Sequence, residues 1–219
     1  MNHREIPEPS LRRLPQYYHY LIQAQARGEE VMSASHLSRD LGIHETQVRK
    51  DISFTGVRGV PKVGHKTADL IAAIATFLNW NNTSDAFLVG SGNLGRAIIG
   101  YEGLANSGIR IVAAFDIEPD IVGTEICGVR VLPAAKVADL ATRMHVHIGI
   151  ITVPATEAQF IADEMIRGGI MAILNFAPIT LQVPETVAVE TVDIYSSLAV
   201  LSCKLSEMQG TAVHPDKGD

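Results

Sequence analysis

The chain has 219 residues, of which 47% are hydrophobic and 19% charged, with a net charge of −6. This balance is that of an ordinary globular protein and excludes a disordered or fibrous chain; no apolar run approaches the ~20 residues of a bilayer-spanning helix. The charge is unevenly spread: residues 1–80 carry ten Lys and Arg against eight Asp and Glu, and the remainder eight against sixteen, the sign expected of a nucleic-acid-facing N-terminal domain on an acidic body.

In chain order, residues 1–10 are broken by charges and hold no apolar signal-peptide core, so a cytoplasmic protein is expected. Leu11, Leu14, Tyr18, Leu21 and Ile22 recur at helical spacing and predict an amphipathic helix over 10–27, with Ser10 as its N-cap and Gly28 as its stop. A short helix over 35–41 buries Leu37 and Leu41, Gly42 makes the turn, and a helix over 44–54 buries Val48 and Ile52 while presenting Gln47, Arg49 and Lys50. A short helix, a glycine turn and a polar, basic second helix form a helix-turn-helix pattern. Residues 55–65 follow as a wing, with glycines at 56, 59 and 64 and the DNA-facing candidates Arg58, Lys62 and His65. The alternative is a helical cap whose Arg49–Lys50 pair is merely solvated.

After the polar break at 79–83 the pattern changes to alternating strands and helices. A buried strand at 86–89 runs into Gly90-Ser91-Gly92-Asn93-Leu94-Gly95, an apolar helix follows, and a second strand at 109–115 ends at Asp116. Gly90 permits the strand-to-helix turn, Gly92 lets a diphosphate approach the backbone, and Gly95 allows close helix–strand packing. Asp116 stands where the adenosine ribose hydroxyls would bond, and Glu118 and Asp120 beside it would repel a 2′-phosphate, favouring NAD(H) over NADP(H). Further strands are expected at 128–132, 147–153, 172–176 and 187–192, with helices at 134–144 and 156–167. The loops Thr152-Val153-Pro154 and Asn175-Phe176 would line the nicotinamide side, and their lack of cations suits a neutral dihydronicotinamide. A last helix at 193–208 either packs as one more Rossmann helix or reaches another subunit, and residues 209–219 read as a disordered tail.

These boundaries give a DNA-binding domain at 1–80, a dinucleotide domain at 81–192 and a terminal helix at 193–208. Cys127 and Cys203 are expected to be buried or half-buried thiols, and His145 and His147 lack the further ligands of a metal site. No His, Lys or Tyr-Lys pair stands on the nicotinamide-side loops to act as acid or base, and no segment remains for a substrate domain. The residues therefore favour a cofactor-sensing regulator over an enzyme. A small NAD-dependent oxidoreductase with dimerising N-terminal helices, and a DNA-binding sensor of another nucleotide-like ligand, are the alternatives.

Five segments, at 47–52, 89–97, 113–116, 151–155 and 173–178, taken together in this order, resemble the Rex family of redox-sensing transcriptional repressors. The likeness spans Ile6 to about Glu207. It implies a homodimer of winged helix-turn-helix and Rossmann domains, with the final helix swapped between subunits. It also implies an inverted-repeat DNA operator and release by NADH but not by NAD⁺. By the same resemblance Arg13, Tyr101 and Asp193 match a switch network, with Tyr101 also counted at the cofactor. Read by themselves, Arg13 is a solvated helix residue and Asp193 a helix N-cap. The wing departs from the commonest family form at Pro61, Lys62 and His65.

Overall fold

A computed structural model describes residues 6–209, which form two compact units. The first extends to Thr83 and takes in Asn106–Gly108; the second holds Ser84–Ala105 and the chain from Ile109 onward. The expected tail lies outside the described residues except for Gln209, which caps the final helix.

In the first unit the elements are α1 (Glu8–Ala26), β1 (Val31–Met32), α2 (Ala34–Leu41), α3 (Glu45–Phe54), β2 (His65–Lys66) and α4 (Thr67–Phe77). Helix α1 starts earlier than expected, behind Pro7, so Ser10 is a buried residue inside it rather than its cap. Its inward face is Leu14, Tyr17, Leu21 and Ala24, while Leu11 and Ile22 are exposed. The face is thus turned from the expected one because Tyr17 goes inward, to a polar partner described below. The tight turn after α2 is real: Ser33 accepts the His36 N–H at 3.1 Å to start the helix, and Gly42 ends it at φ +66°. Helix α4 was not anticipated. Leu70, Ile74 and Phe77, at i, i+4, i+7 spacing, and Ala75 form its buried face, but exposed Ala68 and Ala72 on the other side blunt the contrast in sequence.

The expected wing is a loop pinned by one bridge, Val60 with Gly64, and its end strand β2 pairs antiparallel with β1. Strands this short carry no periodic signal of their own.

The second unit is a seven-stranded sheet in the order β5-β6-β4-β3-β7-β8-β9. Its members are β3 (Ser84–Val89), β4 (Ile109–Asp116), β5 (Glu125–Ile126), β6 (Val129–Pro133), β7 (Ile148–Ile151), β8 (Ala172–Asn175) and β9 (Ala188–Thr191). All pair in parallel except β5, which runs antiparallel to β6. The helices are α5 (Asn93–Ile99), α6 (Glu102–Asn106), α7 (Val137–Met144), α8 (Ala155–Arg167) and α9 (Ile194–Met208). From β3 the chain first builds outward through β4 and β6, then returns to add β7, β8 and β9 on the other side. The strand order therefore reverses between β3 and β7, and a crevice opens at their carboxyl ends.

Alternate β3 residues serve two cores: Phe87 and Val89 pack with α7 and α8 residues, Ala86 and Leu88 with Ile98 and Ile99 of α5. A strand covered on both faces reads as a continuous apolar run. The expected burial of the cysteines is wrong. Cys127 sits in the β5–β6 turn at φ +48°, and Cys203 lies on α9, none of whose residues is buried; both thiols are exposed.

The Phe87 and Phe115 rings meet at 4.8 Å in the centre of this core. Phe87→Ala should cost about 3–5 kcal/mol of unfolding free energy in urea titration. A loss below about 1 kcal/mol would mean that the ring does not fill the core as described.

Candidate functional site

The glycine loop is built on two contacts that tolerate no side chain. Gly90 holds φ +102°, and a Cβ there would meet the Thr152 carbonyl at 2.8 Å. A Cβ on Gly95 would lie 1.9 Å from the Gly90 carbonyl oxygen, so α5 rests directly on the end of β3. Gly92 is different, because a Cβ there would meet nothing within 4 Å. Its face looks into open space above the first turn of α5, whose N–H groups have no intrahelical acceptor. Asn93 and Leu94 on that turn are exposed. The buried Ser91 hydroxyl has no hydrogen-bond partner. An open cradle, unpaired amides and an orphaned buried hydroxyl fit an anionic, hydrogen-bonding group such as a diphosphate.

Asp116, 9% exposed, closes the other side. Its Oδ2 accepts the Ser91 N–H at 2.6 Å, and Oδ1 accepts those of Ile117 and Glu118 at 2.8 and 3.0 Å. The carboxylate therefore ties the glycine loop to the end of β4, a second task beyond the ribose contact expected of it. Thr152 donates its hydroxyl to the Gly90 and Val89 carbonyls at 2.7 and 3.0 Å, locking the two sides of the crevice.

A cavity of about 810 Å³ opens between these groups. Of the cofactor candidates, Gly90, Gly92, Asp116, Thr152, Val153 and Pro154 line it, and Asn93, Leu94, Gly95 and Tyr101 do not. Ile117, Phe160, Glu164 and Arg167 also line it, and these were not anticipated. Phe160 is 62% exposed on α8, and its exposure is visible only in the structure. Asn175 is not turned toward this space. It is fully buried, its Nδ2 donates to the Ala177 and Ile179 carbonyls at 3.0 Å each, and its Oδ1 accepts the Ala177 N–H. It shapes the loop after β8, and Phe176 is half-buried against the sheet core.

On the first unit, Lys50, Arg58 and Lys62 are exposed, and Lys62 holds φ +63° at the wing tip. Arg49 is exposed and ion-paired with Glu45 one turn earlier. His65 is turned under the wing against Gly59, its Nδ1 buried without a partner. Burial pushes its pKa below the ordinary value, keeping the ring neutral.

Of the three switch candidates, Arg13 and Asp193 each have a present role. Arg13 grips the fully buried Asp51 of α3, Nε to Oδ2 at 2.7 Å and Nη2 to Oδ1 at 3.0 Å. Asp193 accepts the Ser196 N–H at 3.1 Å as the α9 N-cap, and its pKa is held down by the Ser196 hydroxyl and backbone N–H. Tyr101 is 66% exposed. Among the described residues no cluster of His, Cys, Asp or Glu could hold a metal, and no helix is long and apolar enough to cross a membrane.

Residues 81–179 match the family model for a CoA binding domain, and residues 5–53 that for a putative DNA-binding protein N-terminus. The redox-sensing transcriptional repressor Rex of Porphyromonas gingivalis is 42% identical over 93% of this chain and 94% of its own. The chain belongs to the Rex family of redox-sensing transcriptional repressors. Among solved structures, the Rex-family repressor RSP in complex with β-NAD⁺ and operator DNA aligns with a TM-score of 0.87 and 34% identity. That match covers 93% of this chain and 94% of that one. RSP in complex with β-NADH gives a TM-score of 0.85 at 33% identity, covering 94% and 96%. Membership of Rex settles the choice between a regulator and an oxidoreductase in favour of the regulator.

The glycine contacts allow a direct check of local packing. Gly95→Ala should destabilise by about 1–3 kcal/mol in thermal or urea unfolding, because backbone must move to admit the methyl group. Gly92→Ala should leave stability within about 0.5 kcal/mol. Equal effects at the two positions would contradict the contact described at Gly95.

Proposed function

We propose that this chain is a cytoplasmic transcriptional repressor that binds an inverted-repeat operator as a homodimer and is released from it by NADH. The observation that carries the reading is the joining of two features in one chain. A glycine-loop crevice bounded by a buried acid stands in one unit and a helix-turn-helix with an exposed basic surface in the other. RSP, similar over nearly its whole length, has been solved with both kinds of ligand.

Bound in the crevice, the dinucleotide supplies a nicotinamide whose ring is neutral when reduced and charged when oxidised. The protein's residues turn that difference into affinity. Gly90, Gly92 and the first amides of α5 hold the diphosphate, and Asp116 has accepting capacity left for the ribose beyond its three backbone donors. Glu118 beside it disfavours a 2′-phosphate. The loop Thr152-Val153-Pro154 lines the crevice and carries no cation of its own.

On DNA, Gln47, Arg49 and Lys50 of α3 face the major groove, and Arg58 and Lys62 of the wing meet phosphates. The dimer rests on α9, whose Ile194, Leu198, Leu201 and Leu205 are all more than half exposed. Such an apolar face is stable in water only when covered, and exchange of α9 between two copies covers it. The switch is an exchange of partners among Arg13, Tyr101 and Asp193, a cation, a phenol and a carboxylate able to pair with one another. A hundredfold preference of NADH for the released form corresponds to about 2.7 kcal/mol per site.

Fluorescence anisotropy of a labelled inverted-repeat operator, titrated with NADH and separately with NAD⁺, tests this directly. Release is expected at a concentration of NADH at least about tenfold below that of NAD⁺. Operator binding indifferent to both would remove the switch, and release by a different nucleotide alone would replace the ligand. Asp116→Ala should weaken NADH binding more than about tenfold in a fluorescence titration, and unchanged affinity would defeat the ribose assignment.

A further inference from the structure

Asp51 is a fully buried carboxylate on α3. It accepts four hydrogen bonds: two from Arg13, one from the Tyr17 hydroxyl at 2.7 Å, and one from Gln47 Nε2 at 2.7 Å. Burial would raise its pKa, but these donors outweigh burial and hold it below the usual carboxylate range, so it is ionised. A buried ion pair of this kind is seldom the cheapest way to pack two helices, since apolar residues of similar volume do as well or better. Its fourth contact points to another use.

Gln47 lies one turn before Asp51 on α3 and is half-buried. An ionised carboxylate can only accept, so the Gln47 carboxamide must face it with its nitrogen. The usual ambiguity between the two ends of a glutamine amide is thereby removed by chemistry. One N–H is committed to Asp51. The other N–H and the carbonyl oxygen remain, and the oxygen has no partner among the described residues. A planar donor beside an acceptor is the complement of adenine N7 and N6 in the major groove. The neighbouring candidates, Arg49 and Lys50, carry donors only and cannot make this pair.

We infer that Asp51 is a positioning residue for base recognition, holding the Gln47 carboxamide in the one orientation that reads adenine in each operator half-site. The inference rests on α3 being the DNA-reading helix. Arg13 and Tyr17 of α1 supply the counter-charge and the remaining hydrogen bond that keep the carboxylate ionised and fixed.

The test is anisotropy on a set of operator duplexes in which each base pair of the half-sites is replaced in turn. The unmodified protein, Gln47→Ala, Asp51→Asn and the double variant are compared. The unmodified protein should lose about tenfold in affinity at one A·T pair. That preference should vanish in Gln47→Ala and equally in Asp51→Asn, and the double variant should add nothing at that pair. An Asp51→Asn protein that binds all duplexes uniformly more weakly, with the preference intact, would overturn the inference and leave Asp51 only the task of joining α1 to α3. So would a Gln47-dependent preference at a G·C pair. Failure of the unmodified protein to bind any duplex would sink the DNA reading itself, before any variant is considered. Should Asp51→Asn not fold, side-chain amide hydrogen exchange in the unmodified protein decides. The Gln47 proton facing the carboxylate should exchange at least about tenfold more slowly than those of the exposed Gln25, and equal rates would overturn the inference.

Discussion

The dinucleotide crevice depends on one close approach. With only a hydrogen at Gly95, the first turn of α5 sits on the Gly90 carbonyl, where a Cβ would come within 1.9 Å. That contact sets the height of α5 above the sheet and so aims its unpaired amides into the crevice. Gly90, at φ +102°, turns the chain sharply enough for the helix to start there. Asp116 and Thr152 then fix the loop from β4 and from the end of β7. The open face at Gly92 exists because its neighbours on both sides are held in this way.

Buried carboxylates anchor both units, by different chemistry. Asp116 is satisfied mainly by backbone N–H groups of its own loop and of the glycine loop, so it tolerates change in the surrounding side chains. Asp51 is satisfied by side chains alone, from Ser10-linked Arg13, Tyr17 and Gln47. Its surroundings are therefore sensitive to any movement of α1. A carboxylate of this kind can carry a signal, because losing Arg13 would leave a buried charge short of its cation, at a cost of several kcal/mol. The same Arg13 is a member of the proposed switch, and the Asp51 pair gives it a definite alternative partner to leave.

Helix α9 shows the complementary economy. Its Asp193 cap makes the helix begin cleanly, yet it buries none of its residues. A stable, capped, apolar and unburied helix is a surface awaiting a second copy of the chain, which is the arrangement the homodimer reading requires.

Elements whose chemistry is local are legible before any folding is considered. The glycine loop, the acid at the end of β4, the Gly42 turn and the strands at 86–89 and 109–115 are all readable from turn residues and short periodicities. They were expected within a few residues of where they stand. Tertiary structure alone decided what distant segments make together. No window of sequence contains Arg13 and Asp51, or Val31 paired with Lys66 across the wing. Helix α4 was missed although Leu70, Ile74 and Phe77 recur at helical spacing, because the exposed alanines at 68 and 72 leave little contrast between its two faces. Asn175 was expected at the cofactor, yet its amide is spent on the backbone carbonyls of its own loop. Which way a polar side chain turns depends on the acceptors the fold brings to it, and those acceptors exist only once the chain has closed on itself.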